Sequence, residues 1–395
     1  MASKILNQSR YSKNAYVIQL KLLAPCGNCS KKCNFREPIL SNARRMCQQE
    51  TLSICTPNPK SPHATARGIR LKNQEEGLKM IDILIPTYNR AEFLRKNILL
   101  LNRLINDSGL QSEFRIIISD NCSTDDTPDV LEHLEKSLNI KIHIFRQNQN
   151  IGLEPNALFL LERATSDYVM YVGDDDYLPN EYIEFVVEQT NRKNLSCIIP
   201  GYSELLPGDV IKPKRNAIFD FKEYTAGFAT ACKLSHFGHQ LSGLVIKREG
   251  LYDAYTQDEE HRNIYPFVFF AAYCMLRGST YYAPKFQVLV SQGNSKDWRY
   301  DDSGLLIDIF KNYKIVFPGA PLKAALASIY FAKIQSWRLR IGGNPINTIK
   351  AFSHLIGSRE VSPLVKISLF ALYPYCYIEK VLHFLRRQFS GASST

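Results

Sequence analysis

The chain has 395 residues, 45% of them hydrophobic, which is ample for a large core and fits one catalytic domain with appendages. Lys and Arg number 49 against 38 Asp and Glu, a formal charge of +11 that implies an anionic partner such as membrane lipid, a lipid diphosphate or nucleic acid without choosing among them. No internal repeat, P-loop, Gly-x-Gly-x-x-Gly or Gly-x-Ser-x-Gly pattern occurs, which removes the common ATPase, dinucleotide and hydrolase readings.

Residues 1–79 carry five of the ten cysteines, Cys26, Cys29, Cys33, Cys47 and Cys55, and little hydrophobic periodicity, so no part of a sheet is expected there. Cys26-x2-Cys29-x3-Cys33 has ligand-like spacing, but no second finger-like pair follows, which favours plain thiols over a zinc or iron-sulfur site. Neither a long apolar stretch nor a small-residue cleavage site is evident, so no secretory signal is read and cytosolic thiols are expected. Residues 57–72, rich in Pro, Lys and Arg, read as linker. Met80 stands immediately before the first strand, so 1–79 reads as a Cys-containing extension, disordered or mis-started.

From Ile81 onward strands alternate with helices. Ile81-Asp82-Ile83-Leu84-Ile85 is a short apolar strand ended by Pro86, and Leu94, Ile98, Leu101 and Ile105 then recur at helical spacing. Phe114-Arg115-Ile116-Ile117-Ile118 predicts a second strand, and Ser119 to Thr124 offers caps for a helix carrying Val130, Leu131, Leu134 and Leu138. A third strand, Ile142 to Phe145, leads through Gly152 into a helix opened by Pro155, and Tyr168 to Val172 is a fourth. Right-handed crossovers make these strands parallel and gather the segments after Ile85, Ser119 and Val172 along one edge, where open α/β sheets bind ligands.

That edge receives Asp174, Asp175 and Asp176 in succession. Carboxylates packed this closely repel unless hydrated, protonated or bridged, and Mg²⁺ or Mn²⁺ joining them to a diphosphate resolves the repulsion in phosphate-handling enzymes. An Asp triplet alone is more often a solvated turn. Its place in an ordered set changes that: a nucleotide can rest against Pro86-Thr87-Tyr88-Asn89 and Asp120, with its phosphates at the triple-Asp loop.

Ile83-Leu84-Ile85-Pro86-Thr87-Tyr88-Asn89-Arg90, Ser119-Asp120-Asn121-Cys122-Ser123-Thr124-Asp125-Asp126-Thr127, Asn150-Ile151-Gly152 and Gly173-Asp174-Asp175-Asp176 follow one another at sensible spacing, and through them residues 80–200 resemble the family 2 glycosyltransferases. The resemblance implies a GT-A fold and a nucleotide-diphosphate sugar donor. It assigns Pro86, Thr87, Tyr88, Asn89, Asp120, Asn121, Gly152, Asp174 and Asp175 to the nucleotide, and Asp176 with Asp174 to Mn²⁺ or Mg²⁺. The usual family loop reads Asp-x-Asp-Asp, whereas Gly173 takes its first position here, as in O-antigen sugar transferases of the abequosyltransferase-like subgroup, and the division of labour among the three carboxylates stays open.

The resemblance further implies inversion at the anomeric carbon, with an Asp or Glu base in an acidic pair a strand and a helix beyond the metal loop. Those positions read Tyr265-Pro266. The base candidates are therefore Glu260 and Asp258, in the acidic cluster after an acceptor-side strand at 241–246. His236 and His239, near that strand, are further candidates for substrate contact. Processive members carry Gln-x-x-Arg-Trp, but Trp298-Arg299 reverses that order, so single-sugar transfer is expected, with the loop at 291–302 as a lid.

Helices are predicted over 324–340 and 346–356, separated by Gly342-Gly343-Asn344-Pro345. Residues 364–389 are aromatic and aliphatic, punctuated by Lys366, Lys380, Arg386 and Arg387 and interrupted by Pro374. Their longest uncharged run is shorter than the ~20 residues a bilayer crossing needs. Lying in the membrane interface and packing on the catalytic domain both fit that composition.

The expected architecture is α/β: a GT-A type, mostly parallel sheet with flanking helices over 80–300, divided into a nucleotide half (80–200) and an acceptor half (201–300), then a helical C-terminal region (301–395). The expected activity is metal-dependent, inverting transfer of one sugar to a glycan or polyprenyl-diphosphate-linked acceptor in cell-surface polysaccharide synthesis. The expected place is cytoplasmic, peripheral at the inner face of the plasma membrane, with no nucleic acid bound. A sugar nucleotidyltransferase needs a Gly-rich basic phosphate loop, which is absent. The rival from another class is a basic nucleic-acid or membrane-binding protein with a catalytically silent α/β domain.

Overall fold

The computed structural model describes residues 80–213, 222–293, 305–341 and 344–390. The expectations for 1–79 and for most of the lid loop lie outside them. In chain order the elements are β1 (Ile81–Thr87), α1 (Ala91–Ser108), β2 (Phe114–Asp120), α2 (Thr127–Ser137), β3 (Lys141–Arg146), α3 (Leu153–Arg163), β4 (Tyr168–Tyr171) and α4 (Tyr182–Thr190). The second half adds β5 (Leu195–Leu206), β6 (Val210–Pro213), β7 (Lys222–Tyr224), α5 (Phe228–Leu234), β8 (Leu244–Lys247), α6 (Leu251–Thr256), α7 (Pro266–Met275) and β9 (Ser279–Ser291). Four helices follow: α8 (Leu306–Val316), α9 (Pro321–Ile334), α10 (Pro345–Gly357) and α11 (Pro363–Ser390).

One sheet runs β3-β2-β1-β4-β8-β5-β9-β7, with β6 pairing β5. The first four strands are parallel, as the crossover argument requires. Beyond β4 the sheet is mixed: β8 is antiparallel to both β4 and β5, whereas β5 and β9 are parallel. Pro86 does not end its strand. The β4 ladder stops at Leu84, so the missing amide falls beyond that pairing, and β1 continues beside β2 to Thr87.

The strand residues alternate between two cores. Ile83, Ile85, Ile116, Ile118, Met170 and Val245 bury against α1, α2 and α4, where Leu94, Ile98, Leu101 and Ile105 form the inner stripe of α1. Leu84, Ile117, Val169, Tyr171 and Leu244 face the opposite core with α3, α5 and α7. Helices α8, α9 and α11 complete that second core through Phe310, Tyr313, Phe331, Val365 and Leu369. Asn312 of α8 donates its Nδ2 to the Tyr265 carbonyl at 2.7 Å, and its Oδ1 accepts from Asn263 Nδ2 at 2.8 Å. Arg338, fully buried, donates to the Tyr265 hydroxyl at 2.8 Å. The helical region therefore props the segment leading into α7. Pro374 lies inside α11 on its exposed side and does not end that helix.

At the opposite end of the strands, buried Asp82 accepts Arg115 Nε at 2.9 Å and Nη2 at 2.7 Å, the Thr165 and Ser166 amides at 2.8 and 3.0 Å, and Ser166 Oγ at 2.7 Å. Burial pushes its carboxyl up, but the Arg115 guanidinium and these hydrogen bonds outweigh burial and hold it below its ordinary value.

Candidate functional site

The C-terminal ends of β1, β2 and β4 converge on one edge. Thr87 closes β1 and Asp120 closes β2 in direct register, and the Asn121 amide donates to the Thr87 carbonyl at 2.9 Å. Tyr88 stands 41% exposed beyond Thr87. Asn89, at φ +53°, donates its amide to Ser123 Oγ at 2.8 Å and accepts the Thr124 amide on its Oδ1 at 2.8 Å, which staples the two loops together.

Asp120 Oδ1 accepts the Ser123 amide at 3.0 Å, while Oδ2 is buried without a hydrogen bond, 3.6 Å from Arg146 Nε. Asn121 spends its side chain on the backbone: Nδ2 donates to Asn150 Oδ1 and the Gly152 carbonyl, and Oδ1 accepts the Ile151 amide. It shapes the loop into α3. Gly152 caps that helix at φ +90°, a conformation that suits glycine.

Thr87 Oγ1 donates to Asp174 Oδ2 at 2.8 Å, joining the first motif to the acidic loop. Asp174 is half-buried, whereas Asp175 and Asp176 are buried. Asp176 Oδ2 accepts from Ser242 Oγ and, at 3.4 Å, from Gln240 Nε2; Oδ1 accepts the Ser291 amide at 3.0 Å. Ser291 Oγ donates to the Asp175 carbonyl, and Asn97 Nδ2 reaches the Gly173 carbonyl at 2.8 Å and that of Asp176 at 2.5 Å. A Cβ at Gly173 would lie 2.9 Å from Asp176 Oδ2 and 3.2 Å from Ser242 Oγ, so a side chain there requires one of these groups to shift. The carboxylate of Asp176 occupies the space that an aspartate at 173 needs.

These oxygen donors suit a hard divalent cation in type. Among the described residues no group of three or more His, Cys, Asp or Glu side chains is arranged to hold one. Asp174 presents the most accessible carboxylate of the three.

The acidic cluster lies on a separate segment. Asp258 Oδ1 accepts the Glu260 amide at 3.0 Å and so caps a short 3-10 turn, while Glu260 is exposed. Its neighbour Glu259 lines an open cleft of about 450 Å³ with Leu153, Glu154, Pro155, Arg262 and Asn263. Arg262 grips Glu154 in a fork at 2.8 and 2.9 Å, binding this segment to the first turn of α3. Tyr265 is engaged by Arg338, and His236 is buried, with its carbonyl accepting from His239 Nδ1 at 2.7 Å.

The first motif, Asp120 and the triple-Asp loop thus meet as the sequence implies. Asn97, Gln240, Ser242 and Ser291 escaped the sequence reading because single polar residues 64 to 116 positions from their partners carry no local pattern. The Glu154 to Arg262 fork, 108 positions apart, escaped it for the same reason.

Residues 82–241 match the family model described as Glycosyl transferase family 2. The chain is 35% identical over 102 residues to the abequosyltransferase RfbV of Salmonella typhimurium, a match covering 26% of this chain and 30% of that one. It is 26% identical over 141 residues to the Campylobacter jejuni GalNAc(5)-diNAcBac-PP-undecaprenol beta-1,3-glucosyltransferase, covering 36% and 41%. Both matches span less than half of those proteins. The crystal structure of Staphylococcus aureus TarS 1-349 in complex with UDP-GlcNAc superposes with a TM-score of 0.55 at 16% identity, covering 72% of this chain and 82% of that one, which shows a shared fold. Among the described residues no helix is long and apolar enough to cross a membrane. Taken with the motif edge just described, residues 82–241 are similar to family 2 of the glycosyl transferases.

Proposed function

We propose that the chain transfers a single sugar from a nucleotide-diphosphate donor to a hydroxyl of a cell-surface glycan or polyprenyl-diphosphate-linked acceptor. The observation that carries this reading is Asp120, whose buried Oδ2 has no hydrogen bond and sits one loop away from exposed Tyr88. A base N–H satisfies that oxygen and the Tyr88 ring offers a stacking face. Thr87, Asp174 and Asp175 then follow toward ribose and diphosphate, while Pro86, Asn89, Asn121 and Gly152 fix the loops around them.

The cation, Mn²⁺ or Mg²⁺, neutralises the leaving diphosphate when bound. Asp174, the more exposed of the two carboxylates that the sequence assigns to it, is its proposed holder, with Asp176 behind it orienting the loop through Ser242 and Ser291. Asp258 or Glu260 takes the acceptor proton, and attack on the face opposite the departing diphosphate inverts the anomeric carbon. On this reading 80–200 serves the donor, 201–300 the acceptor, and 301–395 supports the acceptor side at the inner membrane face. The similarity to a transferase whose name specifies an undecaprenol-linked acceptor supports a lipid-linked glycan.

Isothermal titration with uridine, guanosine and cytidine diphosphates, with and without Mn²⁺, tests the proposal. One nucleotide should bind more tightly with Mn²⁺, and Asp120→Asn should weaken it. Salt-dependent DNA binding with no nucleotide effect overturns the reading.

A further inference from the structure

Helix α11 has two apolar faces. Val365, Leu369, Leu372 and Cys376 recur at helical spacing and are buried against the protein. Between 363 and 378 every exposed side chain on the other side is also apolar or aromatic, including Ile367 (69% exposed), Phe370 (63%) and Ile378 (55%). The patch extends onto α10, because Phe370 packs edge-on against Phe352 with ring centroids 5.1 Å apart, and Ile349 of the same helix is 64% exposed. A contiguous apolar surface of this length is uncommon on a soluble protein and marks something that covers it.

Charge identifies the cover. Residues 344–390 contain six Lys and Arg (Lys350, Arg359, Lys366, Lys380, Arg386, Arg387) against two Glu. Glu360 is paired with Lys314 at 3.1 Å, and Glu379 accepts the Tyr375 hydroxyl at 2.5 Å. Lys350 and Arg359 are exposed on and just after α10. Lys380 donates to the Ile341 carbonyl, so exposed Lys350 and Arg359 are the cations that stand beside the strip. An apolar strip with cations beside it, on a helix lying along the body of the protein, is the arrangement that settles into the headgroup layer of an anionic bilayer.

We propose that the outer face of α11, extended by α10, docks flat on an anionic lipid surface through Ile367, Phe370 and Ile378. This gives the inner-face location of the proposed function a definite surface, and it stands or falls separately from nucleotide binding. Flotation of the full chain with vesicles of phosphatidylcholine alone or with phosphatidylglycerol is the test. Binding should require phosphatidylglycerol, and the triple substitution Ile367→Asp, Phe370→Asp, Ile378→Asp should weaken it roughly a hundredfold or more. Nucleotide titration reports whether that variant is folded. In an independent measurement, Ile367→Trp should add blue-shifted emission, relative to the parent protein, when anionic vesicles are supplied. Parent protein that fails to float, a triple variant that floats like the parent, or Ile367→Trp emission indifferent to vesicles overturns the proposal. So does a parent dimer that ignores vesicles and is split by the triple substitution, which assigns the face to a second copy of the chain.

Discussion

The Ser291 amide, at the end of β9, holds the carboxylate of Asp176 at 3.0 Å across 115 positions of sequence. With Ser242 on the same carboxylate, this makes Asp176 a joint between the β4 and β9 ends of the sheet. Two neighbouring aspartates are therefore expected to separate in their effects. Asp174→Asn should weaken Mn²⁺-dependent nucleotide binding tenfold or more with little change in melting. Asp176→Asn should lower unfolding stability by about 1–3 kcal/mol, because it weakens charge-assisted hydrogen bonds. Titration and urea unfolding of both variants decide it, and the reverse pattern returns Asp176 to the cation.

Gly173→Asp restores the acid found at this position in the usual family loop. Its Cβ meets Asp176 Oδ2 at 2.9 Å and adds a second negative charge, so the loop must open. We expect a loss of about 1–3 kcal/mol in urea unfolding, of the size seen for overpacking in well-packed sites. Gly173→Asp combined with Asp176→Gly should recover part of that loss.

Removal of the proton acceptor should spare binding and damage turnover. Either Asp258→Asn or Glu260→Gln, but not both, is expected to lower kcat by roughly 10²–10⁴ with nucleotide affinity unchanged. Asp258→Asn also weakens the cap on the Glu260 amide, so Asp258→Ser, which keeps a capping oxygen, separates chemistry from structure. Full activity in all three variants removes the acidic cluster from the reaction.

Asp82 and Arg115 govern stability on the acid side. A carboxyl held low in the folded protein stabilises fully above its unfolded value, about 3.9, and loses that contribution as pH falls through the lower folded value. Arg115→Ala removes the cation and leaves the buried carboxylate with neutral donors. Unfolding at neutral pH should cost about 3–5 kcal/mol less, and acid unfolding by circular dichroism should move to higher pH.

The parallel half of the fold was legible because its strands carry apolar residues at strand spacing and are followed by amphipathic helices, as in Ile81 to Ile105. The mixed half was not: β5 and β9 run 12 and 13 residues and shift register where Pro200 passes to Gly201, so their pairing depends on contacts that no local period records. At the site, motif residues were visible as identities, but their jobs were not. Asn89 and Asn121 read as ligand-contacting amides, and their side chains also tie loop backbone together, while Asp176 is gripped by Ser242 from the turn before β8 and by Ser291 at the end of β9, partners that no local pattern records.

Buried Arg338, with Asn312, reaches back to Tyr265 and Asn263 from beyond residue 305. A fragment trimmed at residue 300 would leave these groups without their partners and open the second core to solvent. Shortened versions for crystallisation or assay must keep α8, α9 and the turn at Ser336–Leu339 that carries Arg338, however dispensable a trailing helical tail looks on paper.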